Sequence, residues 1–147
     1  MKILTKKTDY AIRALLTLAA NEGSYVSAKT ISGEQAIPYQ FLRGLLQDMI
    51  KLGFVASREG TGGGFMIRSD PDGIRVKQLI EAFQGKVQVS DCMFRKQLCA
   101  NRSNCVLRHE IMRIEQVVSD EFDKITIGGL LRNLGIVSRA AGEGLHK

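Results

Sequence analysis

Pro38-Tyr39-Gln40-Phe41-Leu42-Arg43-Gly44-Leu45-Leu46-Gln47-Asp48-Met49-Ile50-Lys51-Leu52-Gly53, followed by Phe54 to Arg68 (FVASREGTGGGFMIR), is the stretch whose reading decides the fold. Pro38 stands where prolines open helices, and Tyr39 to Leu52 sends Phe41, Leu42, Leu45, Leu46, Met49 and Ile50 inward at helical spacing, with Gly53 as the stop. The opposite side of the opening turns exposes Tyr39, Gln40, Arg43 and Gln47. After Gly53 the period changes to two. Phe54 to Ser57 and Phe65 to Arg68 read as short paired strands, joined by Arg58-Glu59-Gly60-Thr61-Gly62-Gly63-Gly64. A loop so rich in glycine lets backbone approach a phosphate or a groove closely. A nucleotide-binding Walker loop is set aside because no Gly-Lys-Ser/Thr follows.

Upstream, Thr8 to Asn21 (TDYAIRALLTLAAN) reads as a buried first helix capped by Thr8, with Ala11, Ile12, Leu15, Leu16, Leu18 and Ala19 on a broad apolar face. Gly23 breaks it. Ser27 caps a short second helix through Ser32, and Gly33 to Ile37 form a turn. Three helices followed by a two-stranded hairpin is the order of a winged helix-turn-helix, whose third helix enters the major groove. Arg43 and Gln40 then reach base edges, since Arg forks onto guanine and Gln onto adenine, with Tyr39 beside them. Arg58, Thr61 and Gly63 on the wing, with Lys6 and Lys7 ahead of the first helix, meet phosphates or the minor groove.

Downstream, Asp70-Pro71-Asp72-Gly73 is a turn, and Val76 to Gln84 is a helix with Val76, Leu79, Ile80 and Phe83 inward, ended by Gly85. Val106 to Phe122 reads as a long helix on which Leu107, Ile111, Ile114, Val118 and Phe122 form an apolar seam at steps of three or four. A helix beyond a compact winged domain has little of its own chain to bury that seam against, so a second copy is the expected partner. Thr126 caps a last helix through Leu134. The expected organisation is a winged domain over 1–85, a ligand loop over 86–105, dimerisation helices over 106–139 and a flexible tail over 140–147. The fold class is mainly α with a small β-hairpin: a winged helix-turn-helix domain plus a long dimerisation helix.

At 147 residues and 44% hydrophobic content the chain suits one small domain with an appendage. A formal charge of +6 points to an anionic partner, here double-stranded DNA. The longest apolar runs, such as Ala14 to Ala20, are too short to span a bilayer, so no membrane partner is expected. All three cysteines, Cys92, Cys99 and Cys105, fall in one polar loop with Arg95, Lys96 and Arg102 between them. Their odd number and the lack of a secretory segment argue against a disulfide framework and for a reducing cytoplasm. Paired zinc knuckles keep two to four residues between cysteines. The wider gaps here suit an iron-sulfur cluster better, with zinc or thiol oxidation as the competing use. No nucleophile-base pair or flavin fingerprint is visible, so neither an enzyme nor a small-molecule substrate is expected. A redox electron carrier stays as an alternative from another class, beside a cluster-free DNA-binding protein that uses its cysteines for zinc or thiol chemistry.

Asp9-Tyr10-Ala11-Ile12-Arg13, the wing Gly60-Thr61-Gly62-Gly63-Gly64-Phe65, the three cysteines and the closing Thr126-Ile127-Gly128-Gly129-Leu130-Leu131 together resemble the bacterial winged-helix iron-sulfur regulators typified by IscR, NsrR and RirA. The resemblance covers nearly the whole chain. It implies a homodimeric transcription regulator whose long helix crosses that of its partner and whose cluster state changes DNA affinity. IscR-like members sense cluster supply, NsrR-like members nitric oxide and RirA-like members iron. IscR-type proteins carry a histidine three residues after the third cysteine, where this chain has Arg108 and places His109 one further on. NsrR-type members instead take an aspartate from the partner's first helix, a position matched by Asp9. His109 is the favoured fourth ligand and Asp9 the alternative, with Glu110 behind them. A protein ligand beside the loop favours 2Fe-2S over 4Fe-4S.

Overall fold

The computed structural model describes residues 3–89 and 106–143, with side chains as far as Gly135. Its elements run α1 (Lys6–Ala20), α2 (Ala28–Gln35), α3 (Tyr39–Lys51), β1 (Val55–Arg58), β2 (Gly64–Ile67), a 3-10 turn (Pro71–Gly73), α4 (Val76–Gln84), α5 (Val106–Lys124) and α6 (Ile127–Glu143). This is a mainly helical winged helix-turn-helix protein with a two-stranded antiparallel hairpin.

The core is made where the apolar stripes of α1 and α3 meet. Ala11, Ala14, Leu15 and Leu18 of α1 pack with Leu42, Leu45, Leu46 and Met49 of α3, closed by Ile31, Ile37, Val55, Ile74 and Leu79. Ile127, the first residue of α6, is fully buried in the same cluster. Its place is fixed by backbone pairing, since Val76 donates to the Ile125 carbonyl at 2.9 Å and Ile127 donates to that of Ile74 at 2.9 Å. The α5–α6 joint is thereby stitched to the entrance of α4. Gly128 lies against the Asp72 carboxylate, and a Cβ there would collide with it. A second small cluster of Val76, Ile80 and Val87 is covered by Val118 and Phe122 of α5.

Several sequence expectations are corrected in detail. The N-cap of α1 is Thr5, whose hydroxyl accepts the Thr8 amide at 3.3 Å, and Thr8 is buried inside the first turn. Lys6 and Lys7 therefore belong to α1 and do not precede it. α2 continues through Gly33 to Gln35 and ends on Ala36 in the left-handed region, φ 52°. There Ser32 donates to the Ile37 carbonyl at 2.6 Å and Gln35 to the buried Thr17 hydroxyl at 2.8 Å, which closes the turn without a glycine. Phe41 is 44% exposed instead of buried and meets Tyr10 edge-on at 5.5 Å between ring centroids. Both strands shift by one residue, so that Arg58 is the last residue of β1 and pairs with Gly64, while Val26 adds a further bridge to Phe65. α6 runs through Ala140 to Glu143, where a tail was expected.

Candidate nucleic-acid interface and ligand-loop anchors

α3 turns Tyr39, Gln40, Arg43 and Gln47 to solvent, because Leu42, Leu45 and Leu46 on its other side are held in the core. The Arg43 guanidinium stands 5.9 Å from the Tyr39 ring centroid. Pro38 supplies no side-chain cap, so the amides of the first turn of α3 keep their usual affinity for anions. Beside this helix the wing rises on two kinds of glycine. Gly60 (φ 90°) and Gly62 (φ 76°) shape the tip, which the Gly63 amide closes by donating to the Gly60 carbonyl at 3.0 Å. Gly63 and Gly64 are needed for close approach, since a Cβ on Gly63 would strike the Arg58 carbonyl. Thr61 is exposed at the tip.

Arg58 leaves the end of β1 and is held twice, by donation to the Gly62 carbonyl at 3.1 Å and by the Tyr25 ring at 4.2 Å from its centroid. Lys6 is exposed, whereas Lys7 is drawn to Asp48 of α3 at 3.2 Å and lies 5.4 Å from the Phe83 ring centroid. Of the two lysines, Lys6 is the one open to a phosphate.

Cys92, Cys99 and Cys105 lie outside the described residues. The flanks of their segment are described. Val89 donates its amide to the Glu115 carboxylate of α5 at 3.2 Å, and the chain re-enters at Val106 as the first residue of α5. Both flanks therefore join one helix, about 13 Å apart along its axis by the helical rise. His109 is exposed on the first turn of α5. Asp9 is ion-paired with Arg13 at 2.9 Å and Glu110 with Arg113 at 3.0 Å, so either carboxylate would have to leave a cation to become a ligand. Among the described residues no group of three or more His, Cys, Asp or Glu converges on a metal-sized site. By donor chemistry the three thiols fit iron-sulfur ligation, completed by imidazole or carboxylate.

At the near flank, Gln84 does work that the sequence did not announce. Its carbonyl oxygen accepts from the Thr5 amide at 3.0 Å and the Thr8 hydroxyl at 2.7 Å, and its amide donates to the Ile3 carbonyl at 2.6 Å. The expected seam on α5 also divides. Val118 and Phe122 pack within the chain and Ile111 is half-buried, while Leu107 and Ile114 are 68% and 42% exposed. Val117, absent from the expected seam, is 51% exposed one turn from Ile114.

Comparison with known proteins agrees with this geometry. The Rrf2 family model, described as an iron-dependent transcriptional regulator, matches residues 4–133. The HTH-type transcriptional regulator IscR of Aliivibrio salmonicida is 35% identical over 131 residues, 87% of this chain and 76% of the relative. The HTH-type transcriptional regulator NsrR of Bacillus subtilis is 28% identical over 132 residues, 88% of this chain and 90% of the relative. The solved structure of CymR, the global cysteine regulator of B. subtilis, shares the fold with a TM-score of 0.74 at 22% identity, over 90% of this chain and 98% of that one. With its exposed third helix, its glycine-built wing and a family match that takes in both, this chain belongs to the Rrf2 family of DNA-binding transcription regulators.

Proposed function

We propose that the protein is a cytoplasmic homodimer that binds a specific DNA operator and whose affinity follows the state of an iron-sulfur cluster, in the manner of IscR. Cys92, Cys99 and Cys105 would hold the cluster with His109 as fourth ligand, or Asp9 of a second copy in its place, and 2Fe-2S is favoured over 4Fe-4S. When bound, a cluster of this kind supplies iron whose coordination answers to oxidant, nitric oxide or cluster supply. The observation that carries the reading is the anchoring of the cysteine segment: its near flank follows Gln84, which binds α1, and its far flank is α5 itself.

The coupling runs through the chain's own side chains. Gln84 fixes the start of α1, and Phe83 beside it touches Lys7, whose ammonium reaches Asp48 on the recognition helix. A shift at the end of α4 therefore bears on both α1 and α3, which is the kind of two-position element that a ligand state can bias. Exposed Leu107, Ile114 and Val117 on one side of α5 support pairing with a second copy. Gln84→Ala leaves the buried Thr8 hydroxyl short of its best acceptor and is expected to cost about 1–3 kcal/mol of stability. It should also narrow the difference in operator affinity between apo and cluster-loaded protein. An unchanged difference places the coupling elsewhere.

On DNA, Arg43, Gln40 and Tyr39 would read the major groove, with Arg58, Thr61 and Gly63 of the wing and Lys6 on the flanking backbone. Arg43→Ala is expected to cost about 1–3 kcal/mol of binding and to relax preference at one base position. A loss equal for all sequences, read by competition against a randomised duplex pool, would make Arg43 a phosphate contact instead.

The test of the whole reading is visible absorption with iron and sulfide content on anaerobically purified protein, for wild type, His109→Ala and Asp9→Ala. A cluster spectrum that depends on one of these residues, together with operator preference that differs between apo and holo protein, supports the proposal. A colourless protein carrying zinc or no metal would replace it with a cluster-free regulator that uses its thiols directly. Titration with nitric oxide, or growth under iron limitation, then separates an NsrR-like or RirA-like signal from cluster supply.

A further inference from the structure

Arg58 and Tyr25 are 33 positions apart in sequence and meet across the wing's sheet. The pairing of the strands explains how. Arg58 on β1 lies opposite Gly64 on β2, and Val26 bridges Phe65 from the other side. Side chains alternate between the faces of a sheet, so Tyr25, one residue before Val26, falls on the same face as Arg58. The β2 residue directly opposite Arg58 is Gly64, which raises no side chain from that face. The guanidinium crosses there to within 4.2 Å of the Tyr25 ring centroid and donates to the Gly62 carbonyl at 3.1 Å.

We infer that Tyr25 is a positioning residue for DNA binding: its ring holds the Arg58 guanidinium at the edge of the wing before the duplex arrives. The inference rests on the proposed contact of Arg58 with DNA and adds a residue that the site reading did not contain. The physical ground is the freedom of the side chain. An exposed arginine loses several rotatable bonds on binding, and one already held by an aromatic face and a backbone carbonyl loses fewer. Arg58 stays exposed in this arrangement, so the charge is held without being hidden. Tyr25 is half-buried and anchored beside the Val26–Phe65 bridge, where the backbone bonds are 2.7 and 2.8 Å. The ring therefore provides a fixed platform, and the cation is the mobile partner.

Such a residue acts on affinity through Arg58 alone, and a thermodynamic cycle isolates that route. Wild type, Tyr25→Phe, Tyr25→Leu, Arg58→Ala and the Tyr25→Leu/Arg58→Ala double variant are titrated, as full-length protein, on one duplex chosen by wild type from a randomised pool. Melting temperature is recorded for each. Tyr25→Phe, which keeps the ring, should bind as wild type does. Tyr25→Leu should bind about three- to tenfold more weakly, add no loss to Arg58→Ala, and keep the wild-type salt slope because the charge is retained. Arg58→Ala should lower that slope by about one. Loss from Tyr25→Leu that persists in the Arg58→Ala background, or that is shared by Tyr25→Phe, overturns the inference, as does wild-type binding by Tyr25→Leu. Wild-type affinity and slope in Arg58→Ala would remove the DNA contact itself, and the positioning role with it.

Discussion

Gly64→Ala is expected to abolish operator binding and to lower the melting temperature by more than any surface substitution. Gly64 sits at φ 142°, a backbone conformation that alanine adopts only under strain, and a Cβ built there lies 2.5 Å from the Val26 carbonyl oxygen. The strain is worth about 1–3 kcal/mol and relief of the overlap about 1–3 kcal/mol more. The overlap cannot be relieved by a side chain moving aside, because every near neighbour is backbone of Val26 and Ser27. What yields is the Val26–Phe65 bridge, and with it the registration of the wing against the helical domain. Calorimetry and titration of the selected duplex check both halves. Wild-type melting with wild-type affinity would mean that the wing is built differently.

The second large effect is expected at the other end of the fold. Ile127→Ala should destabilise the protein by about 2–5 kcal/mol, the range for truncating a fully buried isoleucine or leucine. Ile127 follows the long helix α5 in sequence, yet it is buried with Ile74 and Leu79 in the core of the winged domain. Leu134, two helical turns further along α6, is 52% exposed and should tolerate alanine with little change. Denaturant unfolding of the two variants distinguishes these outcomes. If Ile127→Ala changed only subunit association and left unfolding of the winged domain alone, α6 would belong to the assembly surface and not to the core.

Much of this architecture was legible in residue order. Val76–Gln84 was bounded correctly because apolar spacing and Gly85 agree, and Ser27 and Pro38 marked the starts of α2 and α3. The misses share a physical cause, namely that a partner distant in sequence decided the outcome. Thr5 and Thr8 are equal as caps until Gln84 claims the Thr8 hydroxyl. Phe41 fits an inward stripe until Tyr10 offers it an edge at the surface. Gly33 reads as a stop, but the Gln35–Thr17 bond carries α2 past it. Tyr25 gave no signal of its own, since nothing in residues 24–26 points to a cation on the wing. For the proposed ligand site the sequence remains the guide to the cysteines, while the described chain adds the flanking contacts of Gln84, Glu115 and Val106.

α5 buries none of its residues fully within the described chain, and the apolar cluster that unites α1, α3 and the hairpin draws on no residue of α5. Seen across generations, that separates two kinds of inheritance. Substitutions in the cysteine segment and on the exposed side of α5, away from Val118 and Phe122, can accumulate, and be tried against new chemical signals, without bringing the DNA-reading head below its folding threshold. Descendants of one ancestral reader can thus diverge in what they detect while keeping how they grip a duplex.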